Sequence, residues 1–394
     1  MIALLAGLAL LAGCGGDDGD GGGGRSSSLE GETIKIGSLF STTGIGAAVG
    51  PQQVDGVELA VEEINEDGGV NGAEIDVTQV DDKSDPAQSA KAMKGLISED
   101  EVLAVLGPTF SNSAAEADPI ANEEGTPVLA VSNTGPGIVG DCPYPCDLVF
   151  RNSLGEAAAI PANVESFAAD SKAKTAVVIF PLDDPFAAST SEIAADALTE
   201  NGIEVLGTEH FAPLEAGPQP AIESTVEQDA DAIFVTTSSG EGAGDVIRIA
   251  REVGFEGDIL GGNAFNSPLA VEKAGADGEG ARSAAAWYAG NETSANTDFI
   301  EAYRERYDAE PDQFAAQAYT GMKLLATAAE SADLGFDDVV ADRESLATSL
   351  ADVEADTPLG PFSFTEDHDV AQPIWIVEMD GDGGYALVEE IPAE

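Results

Sequence analysis

The chain has 394 residues, 43% of them hydrophobic, enough to bury a core, while 73 Asp and Glu against 16 Lys and Arg leave a formal charge of −57. Such an excess repels nucleic acid and anionic membrane surfaces and argues against a protein built to grip either. It suits high salt, where at molar ionic strength the Debye length falls to about 3 Å and self-repulsion is screened; a salt-adapted protein is expected, an ordinary acidic extracellular protein being the alternative.

In chain order, residues 1–12 are almost wholly apolar and run into Leu11-Ala12-Gly13-Cys14, small residues just ahead of a cysteine. This is the pattern of a lipoprotein signal: residues 1–13 would be removed, and acyl chains on Cys14 would hold the protein at the outer face of the cell membrane. Residues 14–32, which include GGDDGDGGGG, cannot build a core and read as a tether. The apolar run is too short to span a bilayer. No Lys or Arg precedes it, which leaves open a start upstream of Met1.

From Thr33 onward, short apolar runs alternate with segments of helical spacing. A strand is expected over 34–40 and a helix over 54–65, which Asp67-Gly68-Gly69 ends. A strand at 74–80, a helix entered at Asp85-Pro86 and a strand at 102–106 follow. A second series has strands at 175–180, 203–207, 232–236 and 258–260, with helices opening near Pro185, Pro220 and Gly242. Roughly 360 residues exceed what one core usually holds. The expected fold class is therefore α/β, with two doubly wound parallel-sheet lobes.

Loops at the carboxyl ends of such strands line the ligand crevice, which singles out 41–49, 107–113 and 132–137. Pro108-Thr109-Phe110-Ser111-Asn112-Ser113 and Ser132-Asn133-Thr134-Gly135 are rich in hydroxyls and amides beside helix termini. They suit an anionic or zwitterionic small ligand; simple helix capping would place the same residue types there.

Signals for chemistry are weak. Gly44-Ile45-Gly46-Ala47-Ala48-Val49-Gly50 approaches a dinucleotide fingerprint, but its spacing is off by one and Pro51 follows, so no cofactor is expected. There is no Gly-x-Ser-x-Gly elbow, and neither His210 nor His368 has a catalytic context. Cys142-Pro143-Tyr144-Pro145-Cys146 has too few ligands for zinc and is expected to close a local disulfide between Cys142 and Cys146. Asp81-Asp82-Lys83-Ser84-Asp85 lacks the spacing of a calcium loop, and no metal is expected.

One ordered set of residues spans nearly everything from Thr33: Ile34-Lys35-Ile36-Gly37, Gly56-x-Glu58-Leu59-Ala60-Val61, Gly68-Gly69-Val70-Asn71-Gly72, Asp81-Asp82-x-x-Asp85-Pro86, Val105-Leu106-Gly107-Pro108, Gly125-Thr126-Pro127-Val128-Leu129, Phe150-Arg151-Asn152, Arg251-Glu252-Val253-Gly254-Phe255 and Leu359-Gly360-Pro361-Phe362. It resembles the leucine/isoleucine/valine-binding protein family, the substrate-binding proteins of ABC transporters with the type I periplasmic binding fold. The resemblance implies a three-strand hinge between the lobes. It also implies that Ser111 and the loop Ser132, Asn133, Thr134 hold the ligand's carboxylate and ammonium. The family's second-lobe carboxylate falls at Asn263, an amide that cannot supply its charge-assisted bond. Val49 and Ser239 stand at aromatic positions, Phe186 keeps one, and Tyr288 is a further ring to cap the cleft. The ligand is accordingly open: an amino acid, an amide, a carboxylate or another polar solute. For Asn263 and Ser239 the alternative is a local backbone bond, and for Phe186 and Tyr288 a place in the core.

The division implied is 33–153 with 285–360 for the first lobe and 154–284 with 361–394 for the second, the chain crossing near 152–155, 280–286 and 357–361. The expected function is capture of a small polar solute by lobe closure, followed by docking on ABC permease subunits. The protein is expected as a monomer, held to the membrane by its lipid anchor only, with no nucleic-acid partner and no catalysis. The rival is a sensor that reports the same solute to a receptor, and after it an extracellular enzyme.

Overall fold

A computed structural model describes residues 29–211 and 217–393. Cys14, the signal segment 1–13 and the tether as far as residue 28 lie outside the described residues. The tether expected to run to residue 32 is already docked at Leu29, which is buried in the first core and donates its N–H to the Asn71 carbonyl at 2.8 Å.

The first half alternates β1 (Thr33–Phe40), α1 (Gly50–Glu66), β2 (Glu74–Asp81), α2 (Pro86–Ser98), β3 (Ala104–Leu106), α3 (Ser111–Glu123), β4 (Val128–Ala130) and β5 (Val149–Arg151). The middle continues with α4 (Glu156–Asp170), β6 (Thr175–Pro181), α5 (Pro185–Glu200), β7 (Glu204–Phe211), α6 (Gln219–Glu227), β8 (Ala232–Val235), α7 (Gly240–Glu252), β9 (Asp258–Gly261), α8 (Pro268–Ala274) and β10 (Arg282–Ala285). Then come α9 (Ser294–Tyr307), α10 (Gln313–Ser331), α11 (Val339–Ala351), the short strands β11 (Glu354–Thr357), β12 (Gly360–Phe364) and β13 (Val370–Ala371), and last β14 (Ile374–Met379) and β15 (Tyr385–Ile391).

The first sheet has the order β2-β1-β3-β4-β5, parallel throughout. Because strand side chains alternate, its two faces feed different cores. Ile34, Ile36, Phe40, Leu106 and Leu129 pack with α1 and α10, whereas Leu39, Val105, Val128 and Ala130 pack with α2 and α3. Helix α1 approaches α10 at Gly56, where a Cβ would run into the Ala315 carbonyl oxygen.

The second sheet has the order β15-β14-β10-β9-β8-β6-β7. Val177, Ile179, Ile233, Val235 and Ile259 face α6, α7 and α8, and Ala176, Val178, Phe234 and Leu260 face α4 and α5. Its last two strands are antiparallel, so this sheet is mixed where a parallel one was expected.

The chain passes between the sheets after β5, after β10 and before β14. The third passage differs from the expected 357–361. Strands β11–β13 form their own antiparallel sheet, with Phe362 inside the first core and Phe364 and Val370 packed against it, so the crossing falls just before Ile374. Arg151 ties the first passage to the third: its Nε donates to Asp369 Oδ1 at 2.8 Å, and its Nη1 to the Gly135 carbonyl at 3.1 Å. Among the described residues, no helix is long and apolar enough to cross a membrane.

Candidate functional site

A small cavity of about 40 Å³ lies where loops from the carboxyl ends of both sheets meet. The first sheet contributes Thr109 to Asn112 after β3, Ser132 and Thr134 after β4, and Val49 ahead of α1. The second contributes Phe186, Thr237, Ser238, Gly240, Asn263, Ala264 and Ser267, and Phe314 enters from the start of α10. None of these side chains carries a charge.

On the first side, Gln53 holds two loops together. Its Nε2 donates to Ser132 Oγ at 2.9 Å, its Oε1 accepts from Thr109 Oγ1 at 2.6 Å, and Ser132 Oγ donates to the Thr109 carbonyl at 2.7 Å. Ser132 is therefore spent on the scaffold. Ser111 Oγ accepts from the Gly135 N–H at 3.1 Å. Thr134 is 2% exposed and its hydroxyl bonds to no other described residue, although its carbonyl accepts from the Glu156 N–H at 2.7 Å. Helix α3 starts without a side-chain cap, since its N-cap is Phe110. The N–H groups of Ser113 and Ala114 bond back to the Phe110 carbonyl, which leaves those of Ser111 and Asn112 for a ligand.

On the second side, Asp184 caps α5 by accepting from the Ala187 N–H at 3.2 Å and also accepts from the Ser238 N–H at 2.8 Å and Oγ at 2.6 Å. Asn112 Nδ2 reaches it across the cleft at 3.4 Å, and the Phe186 ring packs against Gly135, so the two lips touch and the cleft is closed. Asn263 donates its N–H to Glu156 Oε1 at 2.8 Å and accepts at Oδ1 from Gln313 Nε2 at 2.7 Å. Glu156 is buried and its Oε2 has no partner among the described residues. Burial pushes its carboxyl up to about 7, against the pull of the Asn263 N–H and the Arg151 guanidinium.

Of the residues singled out by sequence, Ser111, Ser132, Thr134, Phe186 and Asn263 line the cavity. Three do not. Asn133 is fully buried away from the lining, and its carbonyl accepts from Ser153 Oγ at 3.2 Å. Ser239 caps α7, accepting from the Gly242 N–H at 3.0 Å, while its neighbours Ser238 and Gly240 reach the cavity. Tyr288 lines a separate cavity with Trp287, Asp312 and Tyr385, its ring 5.9 Å from that of Trp375. Sequence reasoning missed Thr237, Ser238 and Ser267, whose signal was the hydroxyl run after β8 and the Ser-Pro entry to α8. It also missed Phe314, for which no local signal exists. Cys142 and Cys146 form a disulfide in the loop between β4 and β5.

A family model described as periplasmic binding protein matches residues 33–384. The leucine-, isoleucine-, valine-, threonine- and alanine-binding protein of Pseudomonas aeruginosa is 27% identical over 347 residues, 88% of this chain and 89% of that protein. The chemotactic signal transduction system substrate-binding protein BasB of Halobacterium salinarum is 24% identical over 241 residues, 57% of this chain and 55% of that protein. Among solved structures, the branched-chain amino acid transporter substrate-binding protein LivJ from Streptococcus pneumoniae, in complex with isoleucine, is similar at TM-score 0.81 and 27% identity, covering 92% of this chain and 100% of that one.

Proposed function

The chain belongs to the periplasmic binding protein family, and from that premise we propose that it is the solute-capturing component of an ABC importer, lipid-anchored through Cys14 outside the cytoplasm. Its relatives are substrate-binding proteins and not enzymes. The observation that carries the reading is the uncharged, hydroxyl-lined cavity whose walls come from both sheets. A solute held there touches both lobes only when they are closed, and a ligand shifts such an equilibrium only through contacts that are better in one state. The closed monomer would then dock on the permease subunits and release its load.

Ser111, Thr134 and the open first turn of α3 are assigned to an anionic end of the solute, and Phe186 and Phe314 to its apolar body. Ser132 acts by holding the Thr109 loop in place. The test is a thermal-shift screen of amino acids, amides and short carboxylates in molar salt. A rise in melting temperature that is lost in Thr134→Val supports the reading, and an unchanged rise in that variant removes the site from this cleft. The likeness to BasB, over about half of each chain, favours one second reading: the same capture reported to a receptor. A permease binding assay with the closed protein separates the two.

A further inference from the structure

Resting on that capture reading, we propose that the solute is a small aliphatic or aromatic monocarboxylate that carries no amino group. On the first-sheet wall of the cavity stand the N–H groups of Ser111 and Asn112 and the buried hydroxyl of Thr134, all without partners among the described residues, an arrangement that receives a carboxylate.

On the second-sheet wall the orientation of Asn263 is fixed by a relay. The backbone N–H of Ala286 can only donate, so Gln313 must turn its Oε1 toward it, and does, at 2.8 Å. That turns the Gln313 amide nitrogen onto Asn263, which must answer with Oδ1, at 2.7 Å. The Asn263 amide nitrogen is left without a partner among the described residues, on a side chain that lines the cavity. It is a donor where an ammonium, itself three donors and no acceptor, needs an acceptor.

No carboxylate remedies this among the described residues. Asp184 does not line the cavity, and both its oxygens are occupied, by Ala187 N–H and Asn112 on one and by Ser238 N–H and Oγ on the other. Glu156 packs against Gly262 outside the cavity lining, with Oε1 taken by the Asn263 N–H and Oε2 unpartnered among the described residues but buried away from that lining. An ammonium closed into this cleft would lose its water and gain no counter-charge. The remaining wall, Val49, Phe110, Phe186, Ala264 and Phe314, accepts hydrocarbon or a ring.

Calorimetry on the full chain at pH 8 with two matched pairs tests this: 4-methylpentanoate against leucine, and 3-phenylpropanoate against phenylalanine, each pair differing only in the ammonium. At least one pair should bind, and in every pair that binds the amine-free acid should bind about tenfold or more tightly than its partner. Asn263→Asp should move that ratio toward the amino acid, because Oδ1 still receives Gln313 and the other oxygen offers the missing acceptor. Leucine or phenylalanine binding as tightly as its amine-free partner overturns the proposal and leaves solute capture standing, as does an unchanged ratio in Asn263→Asp. If the protein binds none of the four but another solute class raises its melting temperature, the proposal falls alone. If no solute of any class binds, both readings fall.

Discussion

Ser132 and Thr134 sit two positions apart in one loop with different fates, since the first hydroxyl is consumed by the Thr109 carbonyl and Gln53 while the second bonds to no other described residue. Thr134→Val, nearly equal in shape, should therefore leave stability close to the parent's and weaken solute binding by about 1 kcal/mol or more, roughly fivefold, by calorimetry. Ser132→Ala should instead lower the melting temperature. Glu156 makes a separate prediction about pH. Its folded-state carboxyl is raised from the ordinary 4.5 to about 7, so the native state holds the proton more tightly than the unfolded chain. The stability this gives is complete below pH 4.5 and is lost as pH rises through 7, a difference of roughly 3 kcal/mol at most. Glu156→Gln keeps the acceptor for Asn263 and removes the titration. It should match the parent near pH 4 and exceed it in stability at pH 8; equal denaturation midpoints at pH 8 would show that the carboxylate is not penalised there.

Elements were more legible in the sequence than the side chains they carry. The strand runs of both series and their intervening helices stand near where the apolar spacing put them, because burial on both faces writes a parallel strand as a continuous apolar run. Strands β11–β13 did not show, being two to five residues long with mixed burial, and the third crossing was misplaced with them. Within the loops, composition marked the hydroxyls but not which of them the scaffold consumes. Ser239 went to the α7 cap and Asn133 into the interior, and Tyr288 went to another cavity altogether, because position on one side of a crossing is set by packing that no local pattern records. Ser239→Ala should accordingly cost about 1 kcal/mol of stability and leave solute affinity within about twofold of the parent, read by calorimetry beside chemical denaturation. A further test belongs to the contact of α1 with α10. Gly56→Val pushes the two helices apart at the Ala315 carbonyl and should cost about 1–3 kcal/mol, visible as a lower denaturation midpoint.

At the scale of the whole molecule the charge dominates, 73 acidic side chains against 16 basic ones. Raising salt from 0.1 to 1 M shortens the Debye length from about 10 to about 3 Å, so the melting temperature should climb across that range in potassium chloride; a flat or falling curve would show that this excess does not strain the fold. The docking of Leu29 against Asn71 carries a mechanical consequence. Asn71 lies just ahead of β2, at the amino-terminal rim of the first sheet, and the eight residues of β1 span roughly 26 Å from there to the opposite rim. If the protein is held through the residues ahead of Leu29, as proposed, tension would enter one half of the clamshell alone, at its far end. The jaw built on the other sheet would then swing without load, its mouth at arm's length from such an attachment.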